Sequence, residues 1–326
     1  MDKKIVDIDA KDKRILYELE QNCRLPLGKI AKAVGLSKQT LHYRIQRLIE
    51  QKVIVSFITV INIAKLGFVN HEVWLQLEAI PEEEKEAFVN YLVNHKSIRL
   101  VGTCGGKFDF LIAVLAENSV QFNNLFREII RKFPKHVRNY SFSIPIEFYT
   151  YPRTHFLDKE EKKKQFIIAG EPKRIELDET ELKLLSLIAE NSRIPTVELA
   201  TKIGITAHTA RAKIKRLELD GVIEGYKIMF DHSKIGYENY EILATLQNMT
   251  MQKEKELETY CALNPYSTFL LKCIGKWDID FAFDAKNSEH FQQTLTDFRS
   301  RFGGIIKDYE FASIIKWEKF TYYPFK

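Results

Sequence analysis

Residues 9–37 read DAKDKRILYELEQNCRLPLGKIAKAVGLS, and residues 178–206 read DETELKLLSLIAENSRIPTVELATKIGIT. Laid over one another without a gap, they match Asp9 to Asp178, Asn22 to Asn191, Arg24 to Arg193, Pro26 to Pro195 and Gly35 to Gly204. The offset of 169 residues persists beyond these stretches: Arg47-Leu48 fall on Arg216-Leu217, and Val53-Ile54 on Val222-Ile223. Further on, Cys104 falls on Cys273, Phe133 on Phe302 and Tyr140 on Tyr309. Residues 9–149 thus repeat as 178–318. A unit this long is not a solenoid repeat, so the chain holds two copies of a domain pair.

The quoted stretches decide the first domain of each copy. In copy one, Ile15, Leu16 and Leu19 share a helix face, and Asp9 precedes it as a cap. Asn22 to Pro26 breaks that helix. A short helix from Leu27 to Val34 follows, and Gly35 turns the corner. Leu36 plugs the core, and Ser37 caps a third helix from Lys38 to Gln51 with Leu41, Ile45 and Leu48 inward. Copy two repeats this with Glu198 to Ile203, Gly204, Ile205, Thr206 and then Ala207 to Asp220. The spacing is that of a helix-turn-helix.

The third helix of such a motif enters the major groove by its N-terminal part. Its outward residues are Ser37, Lys38, Gln39, His42, Tyr43, Arg44 and Arg47 in copy one. In copy two they are Thr206, His208, Thr209, Arg211, Lys213, Lys215 and Arg216. Gln39, Arg44 and Arg211 can make forked hydrogen bonds to base edges, while the Lys, Ser and Thr groups suit phosphates. Ser37 to Ile49 holds three Lys/Arg and no acid, and Thr206 to Leu217 holds four and none. A solvated basic face explains one such helix; two, each in the same place of the motif, point to double-stranded DNA.

After each motif comes a strand-like connector, Val53 to Ile63 and Val222 to Phe230. Then copy one reads strand (His71 to Ala79), helix (Pro81 to Asn94), strand (Ile98 to Cys104), strand (Asp109 to Ala116), helix (Ser119 to Phe133) and strand (Val137 to Phe148). The order βαββαβ is ferredoxin-like, with helices on one sheet face and the other face free to pack on the second copy's sheet. The expected fold is α+β: helix-turn-helix (winged-helix-like) domains at 1–60 and 177–230 alternate with ferredoxin-like ligand-binding and pairing domains at 68–150 and 237–326. A charged linker at 151–176, containing DKEEKKK, joins the copies. The aromatic ends FYTYP (Phe148 to Pro152) and FTYYP (Phe320 to Pro324) read as packing or subunit contacts.

Bulk composition narrows the function classes. Apolar residues are 45% and charged residues 29% of 326, enough for real cores. There is no apolar run long enough for a membrane helix, and the charged N-terminus lacks a secretory core, so a cytoplasmic protein with no membrane partner is expected. The four cysteines form no C-x-x-C pair and lie at no metal-ligand spacing, so neither a disulfide framework nor a metal site is expected. The net charge of +5 is too small to argue from by itself. No phosphate-cradling Gly loop, nucleophile elbow or metal motif is present; no catalytic residues and no cofactor are expected.

Residues 177–206, the following KIKRLELDGVIEGY (213–226), the loop Gly275-Lys276-Trp277-Asp278, and the copy-one counterparts through Gly106-Lys107-Phe108-Asp109 carry a resemblance. The chain resembles the leucine-responsive/asparagine (Lrp/AsnC) regulators, over most of its length and twice. The resemblance implies a sequence-specific DNA-binding transcriptional regulator whose βαββαβ domains pair sheet to sheet. It also implies an amino acid or related metabolite as effector, near Gly106, Phe108, Asp109, Gly275, Trp277 and Asp278. Gly admits close backbone approach and Asp accepts from an ammonium group; a β-turn with a capping Asp accounts for the same residues. Two departures stand out. Lys52 and Ser56 replace Gly221 and Gly225, which puts the copy-one wing in doubt, and Ala212 replaces the bulk of Tyr43. The fusion implies an intramolecular pseudo-dimer, with further self-association expected. Two alternatives remain: an Lrp-like tetrapyrrole (siroheme) decarboxylase, and a ligand-binding partner protein that does not touch DNA.

Overall fold

The fold is α+β, described by a computed structural model for residues 5–157, 166–168 and 173–325. Three helices open each copy, and short-range chemistry sets their ends. Helix α1 (Ala10–Asn22) begins in a reciprocal capping box between Asp9 and Asp12. Helix α2 (Leu27–Val34) stops at Gly35, whose φ of 69° is left-handed. Ser37 then caps α3 (Lys38–Glu50) by accepting from Thr40 N–H.

The chain continues through β1 (Ile54–Ile61), β2 (Val69–Leu77), α4 (Glu82–Asn94), β3 (Ile98–Gly106), β4 (Phe110–Ala116), α5 (Ser119–Lys132) and β5 (Val137–Thr150). After the short β6 (Phe166–Ile168), copy two repeats the scheme. Its helices are α6 (Glu179–Glu190), α7 (Thr196–Ile203) and α8 (Ala207–Leu219). Then come β7 (Ile223–Phe230), β8 (Glu238–Leu246), α9 (Met251–Leu263), β9 (Ser267–Gly275), β10 (Ile279–Ala285), α10 (Ser288–Phe302) and β11 (Ile306–Phe320).

Strands β1 and β7 pair antiparallel into a two-stranded ribbon, with Thr59 opposite Tyr226. The ribbon joins the two helix-turn-helix units, and one apolar core runs through both: Ile15, Leu19 and Leu48 with Leu184, Ile188 and Leu217. Cys23 Sγ meets Ser192 Oγ at 3.1 Å. These two residues occupy the same position in the two copies, so the internal two-fold axis passes between them.

The ferredoxin-like halves join more intimately than face-to-face stacking predicts. Within each half the strand order is β5-β2-β4-β3 and β11-β8-β10-β9. Strand β3 pairs with β11 and β5 with β9, so the eight strands close into a barrel with no free edge between the copies. The cause is that each edge strand would otherwise leave a row of backbone groups unpaired. Helices α4 and α5 cover one half through Phe88, Ile112 and Phe126, and α9 and α10 cover the other through Leu257, Phe281 and Phe298. Strand alternation turns the remaining residues inward, where Trp74, Leu111, Leu243 and Ala312 share the lumen core.

The segment 151–176 departs from a solvated linker at its start, while Lys173, Arg174 and Glu176 at its end are exposed. Tyr151 is 1% exposed and packs into the copy-two layer, and Phe156 is buried in the helix-turn-helix core. Strand β6 pairs with β5. The stretch DKEEKKK lies outside the described residues. The C-terminal aromatic segment answers in kind: Tyr322 and Tyr323 pack against the helix-turn-helix core. Among the described residues no helix is long and apolar enough to cross a membrane.

Candidate DNA-reading helices and ligand loops

Helices α3 and α8 carry the expected reading residues, and the structure divides them into two groups. Lys38, Gln39, His42 and Tyr43 are exposed, Tyr43 to 67%. In copy two Thr206, His208, Arg211 and Lys215 are exposed, with Thr209 half-buried. Ser37 and Thr206 serve mainly as caps, Thr206 accepting from Thr209 N–H at 3.1 Å.

The second group is already engaged. Arg44 donates to Asp9 Oδ2 at 2.7 Å and to Asp12 Oδ1 at 2.9 Å, and Arg47 donates to Asp12. Copy two repeats the arrangement: Lys213 reaches Asp178 at 2.6 Å and Arg216 reaches Glu181 at 3.0 Å. Asp12 and Glu181 are buried, so these cations are held against the first turn of α1 and α6. Burial works against the Asp9 carboxylate, yet hydrogen bonds from Arg44 and from Asp12 N–H hold it below the usual range. Lys213, and then the N–H of Glu181, hold Asp178 down in the same way. Arg44, Arg47 and Lys213 therefore brace the angle between first and third helices in this structure. Arg216 shares the brace, though half of its side chain remains exposed.

The two Gly-x-aromatic-Asp loops are also committed to the scaffold. Asp109 Oδ2 accepts from Leu77 N–H at 2.7 Å, and Asp278 Oδ2 accepts from Leu246 N–H at 2.6 Å. Phe108 and Trp277 are each 2% exposed and meet edge to face, with centroids 5.8 Å apart. A Cβ on Gly275, whose φ is 136°, would lie 2.6 Å from the Phe142 carbonyl oxygen. Gly106 has φ 104° at the matching turn. These six residues thus close the barrel: the carboxylates cap the ends of β2 and β8, the rings fill the lumen, and Gly275 lets β9 lie against β5. The turn with a capping Asp explains the pattern without an effector.

The charged interior was not foreseen. Glu72, Glu241, Asp280 and Asp284 all point into the barrel and are buried. Asp284 is held far below the ordinary carboxylate range: burial pushes it up, but Arg153 and His232 outweigh that. Arg153 Nε donates to Asp284 Oδ2 at 2.6 Å, and its Nη1 donates to Glu20 of α1. His232 Nδ1 lies 3.1 Å from Asp284 Oδ1. This network ties the first helix-turn-helix to the copy-two half of the barrel. A sequence signal existed: DIDFAFDA places Asp280 and Asp284 on the face opposite Ile279, Phe281 and Phe283. All four cysteines are free and buried.

Comparison with known proteins follows the same division. An AsnC-type helix-turn-helix domain matches residues 8–49, and a winged helix-turn-helix DNA-binding domain matches residues 177–224. An uncharacterised HTH-type transcriptional regulator of Pyrococcus furiosus is 32% identical over 105 residues, covering 32% of this chain and 70% of its own length. The HTH-type regulator FL11 of Pyrococcus abyssi is 30% identical over 129 residues, covering 40% of this chain and 83% of its own. The leucine-responsive regulatory protein of Rhizobium meliloti is 28% identical over 116 residues, covering 32% and 73%. Each such match spans one copy. Over the whole chain, the crystal structure of the siroheme decarboxylase NirDL has the same fold: TM-score 0.60, 13% identity, covering 97% of this chain and 94% of that one. The chain belongs to the Lrp/AsnC family of helix-turn-helix transcriptional regulators, with two units in one polypeptide.

Proposed function

We propose that this protein is a sequence-specific DNA-binding regulator in which α3 and α8 read two different half-sites of one duplex. The observation that carries the reading is the exposed N-terminal face of both third helices, free of acids and already aligned by the Asp12 and Glu181 braces. The faces differ: Lys38, Gln39, His42 and Tyr43 correspond to Ala207, His208, Arg211 and Ala212. An asymmetric operator fits such a pair better than a palindrome does. The β1–β7 ribbon and the core shared by both motifs support a paired reading by one chain, the work that two separate chains would do elsewhere. A small-molecule effector belongs to this reading, since any ligand that favours one placement of the readers changes DNA affinity by linkage.

Anisotropy titrations of the whole protein against duplexes selected from a random pool test it. Affinity is expected to fall steeply with salt. Lys38→Ala should weaken binding uniformly, and Arg211→Ala should relax sequence preference at one half-site, each with unchanged melting. Salt-insensitive or undetectable binding to every selected duplex would end the proposal.

A second reading, decarboxylation of a tetrapyrrole, is favoured by one observation: a cavity of about 770 Å³ lies between the ribbon and the barrel. Absorption spectra recorded while iron-uroporphyrin is added separate the two. A shifted, saturable visible band supports the enzyme; an unchanged spectrum leaves the regulator.

A further inference from the structure

The same cavity has a built interior. Its ribbon wall is largely apolar, with Ile58, Ile61, Ile228 and Met229, and carries one half-buried lysine, Lys227 of β7. Its inner end is the barrel lumen, where Glu72 of β2, Glu241 of β8 and Asp280 of β10 line it. Glu241 is fully buried, Asp280 is 2% exposed and Glu72 5%. Among the described residues, both oxygens of Glu241, both of Asp280 and Glu72 Oε2 accept from no donor group. Glu241 and Asp280 neighbour one another, so a proton between them would join the two carboxyls. Two other buried polar atoms on the cavity wall, Asn62 Oδ1 and Thr268 Oγ1, are equally unpartnered.

Charge around the acids is lopsided. Arg99 of β3 donates to Asn70 Oδ1 at 2.8 Å and stands beside Glu72 and Tyr322. Among the described residues no cation is paired with Glu241 or Asp280, whereas Asp284, two alternations further along β10, has Arg153 and His232. Glu72 and Glu241 hold the same position in the two copies, but Asp280 stands where copy one has Leu111. Two of the acids thus belong to the duplicated scaffold, and the third, Asp280, is this chain's asymmetry. Carboxyls gathered in a low-dielectric lumen call for a positive charge that also donates hydrogen bonds. Among the described residues no His, Cys, Asp or Glu side chains are placed to hold a metal ion in threes or more. The volume and the apolar wall fit an organic body.

We infer that this cavity binds an amphipathic organic cation, an alkyl- or arylalkylamine, with its ammonium head among Glu72, Glu241 and Asp280 and its apolar body along the ribbon. The site does not depend on DNA reading. The groups facing the head are Glu72, Glu241, Asp280, Arg99, Cys104 of β3, Cys273 of β9 and Tyr322; the basic side chains Lys65, Arg153, Lys173, Lys227 and His232 line the rest of the cavity, away from the head. Burial, then the neighbouring acids, push both thiols up, so they stay protonated. Burial also pushes the three carboxyls up; an arriving ammonium reverses this and drives protons off them.

Calorimetric titration of the whole protein at neutral pH with n-octylamine, 1-octanol and octanoate, in two buffers of different ionisation enthalpy, tests the site. Octylamine is expected to bind once per chain, at least tenfold more tightly than octanol, with octanoate weakest. Its heat should differ between buffers by the release of protons. Glu241→Gln and Asp280→Asn should each weaken octylamine at least tenfold and leave octanol unchanged; should one fold poorly, the other serves alone. Equal binding of amine and alcohol, tighter binding of octanoate, no saturation, or variants that bind octylamine like the parent would overturn the inference.

Discussion

Lys52 stands where copy two has Gly221, and it keeps the same left-handed backbone, φ 58° against 65°. The doubt about the copy-one wing is thereby answered: the turn survives, with a lysine bearing the strain. A left-handed non-glycine costs about 1–2 kcal/mol, part of which a glycine returns as unfolded-state entropy. Lys52 is exposed, so Lys52→Gly should raise stability by about 0.5–1 kcal/mol in denaturant melts, whereas Lys52→Ala should not. The lumen acids make a second prediction at this scale. Glu241 is raised by burial and then by Glu72, so its carboxyl favours the folded state only while protonated. That contribution is complete below the unfolded value of about 4.3 and is lost as the pH rises toward and past neutrality. Glu241→Gln should therefore raise stability at pH 8 by at least about 1 kcal/mol, read as a higher Tm, and the gain should shrink toward pH 5.

Among the elements, α3 and α8 show why outward-facing basic residues are not equivalent. Arg44, Arg47, Lys213 and Arg216 lie one or two turns into their helices, where the first turn of the preceding α1 or α6 supplies carboxylates. The residues toward the helix N-terminus clear that neighbour, as Lys215 does on the outer face of α8. Asp12→Ala removes a capping partner and the shared acceptor of two guanidinium groups, and should destabilise the protein by about 2 kcal/mol in urea melts. DNA affinity should fall with it, because the third helix loses its brace. Arg211→Ala, by contrast, should change DNA affinity by about 1–3 kcal/mol with no loss of stability. A result in which Asp12→Ala is neutral and Arg44→Ala costs only DNA affinity would return Arg44 to the reading face.

Across the whole molecule, the barrel closes by pairing one copy's edge strands with the other's, and the Arg153 network fastens a helix-turn-helix unit to it. Asp284→Asn leaves a buried guanidinium with Glu20 alone, and should cost about 3 kcal/mol. Acid should act on the same junction. His155 is lowered to about 4 by burial and stacks on Tyr266 with centroids 4.6 Å apart. The unfolded imidazole titrates near 6.5, so the stability it contributes is whole above that pH and drains away as the pH falls toward 4. Asp284, depressed in the fold, adds loss in the same direction below the ordinary carboxylate range. With the lumen acids acting oppositely, Tm against pH should peak in mildly acidic buffer; in Glu241→Gln the peak should move upward.

The duplication, both helix-turn-helix units and the βαββαβ order were legible because each rests on local rules: Asp9, Ser37 and Thr206 as caps, Gly35 and Gly204 as left-handed corners, and strand alternation. The closed barrel was not, since which edges pair depends on two sheets meeting far apart in sequence. The same holds for the partners of Arg44 and Asp109, and for the gathering of Glu72, Glu241 and Asp280 in one lumen. Sequence by itself determined what each segment could form, because capping and periodicity act within a few residues. Only the tertiary structure decided which charges are spent and which stand unpaired, because Coulomb and desolvation energies depend on distance and burial through space.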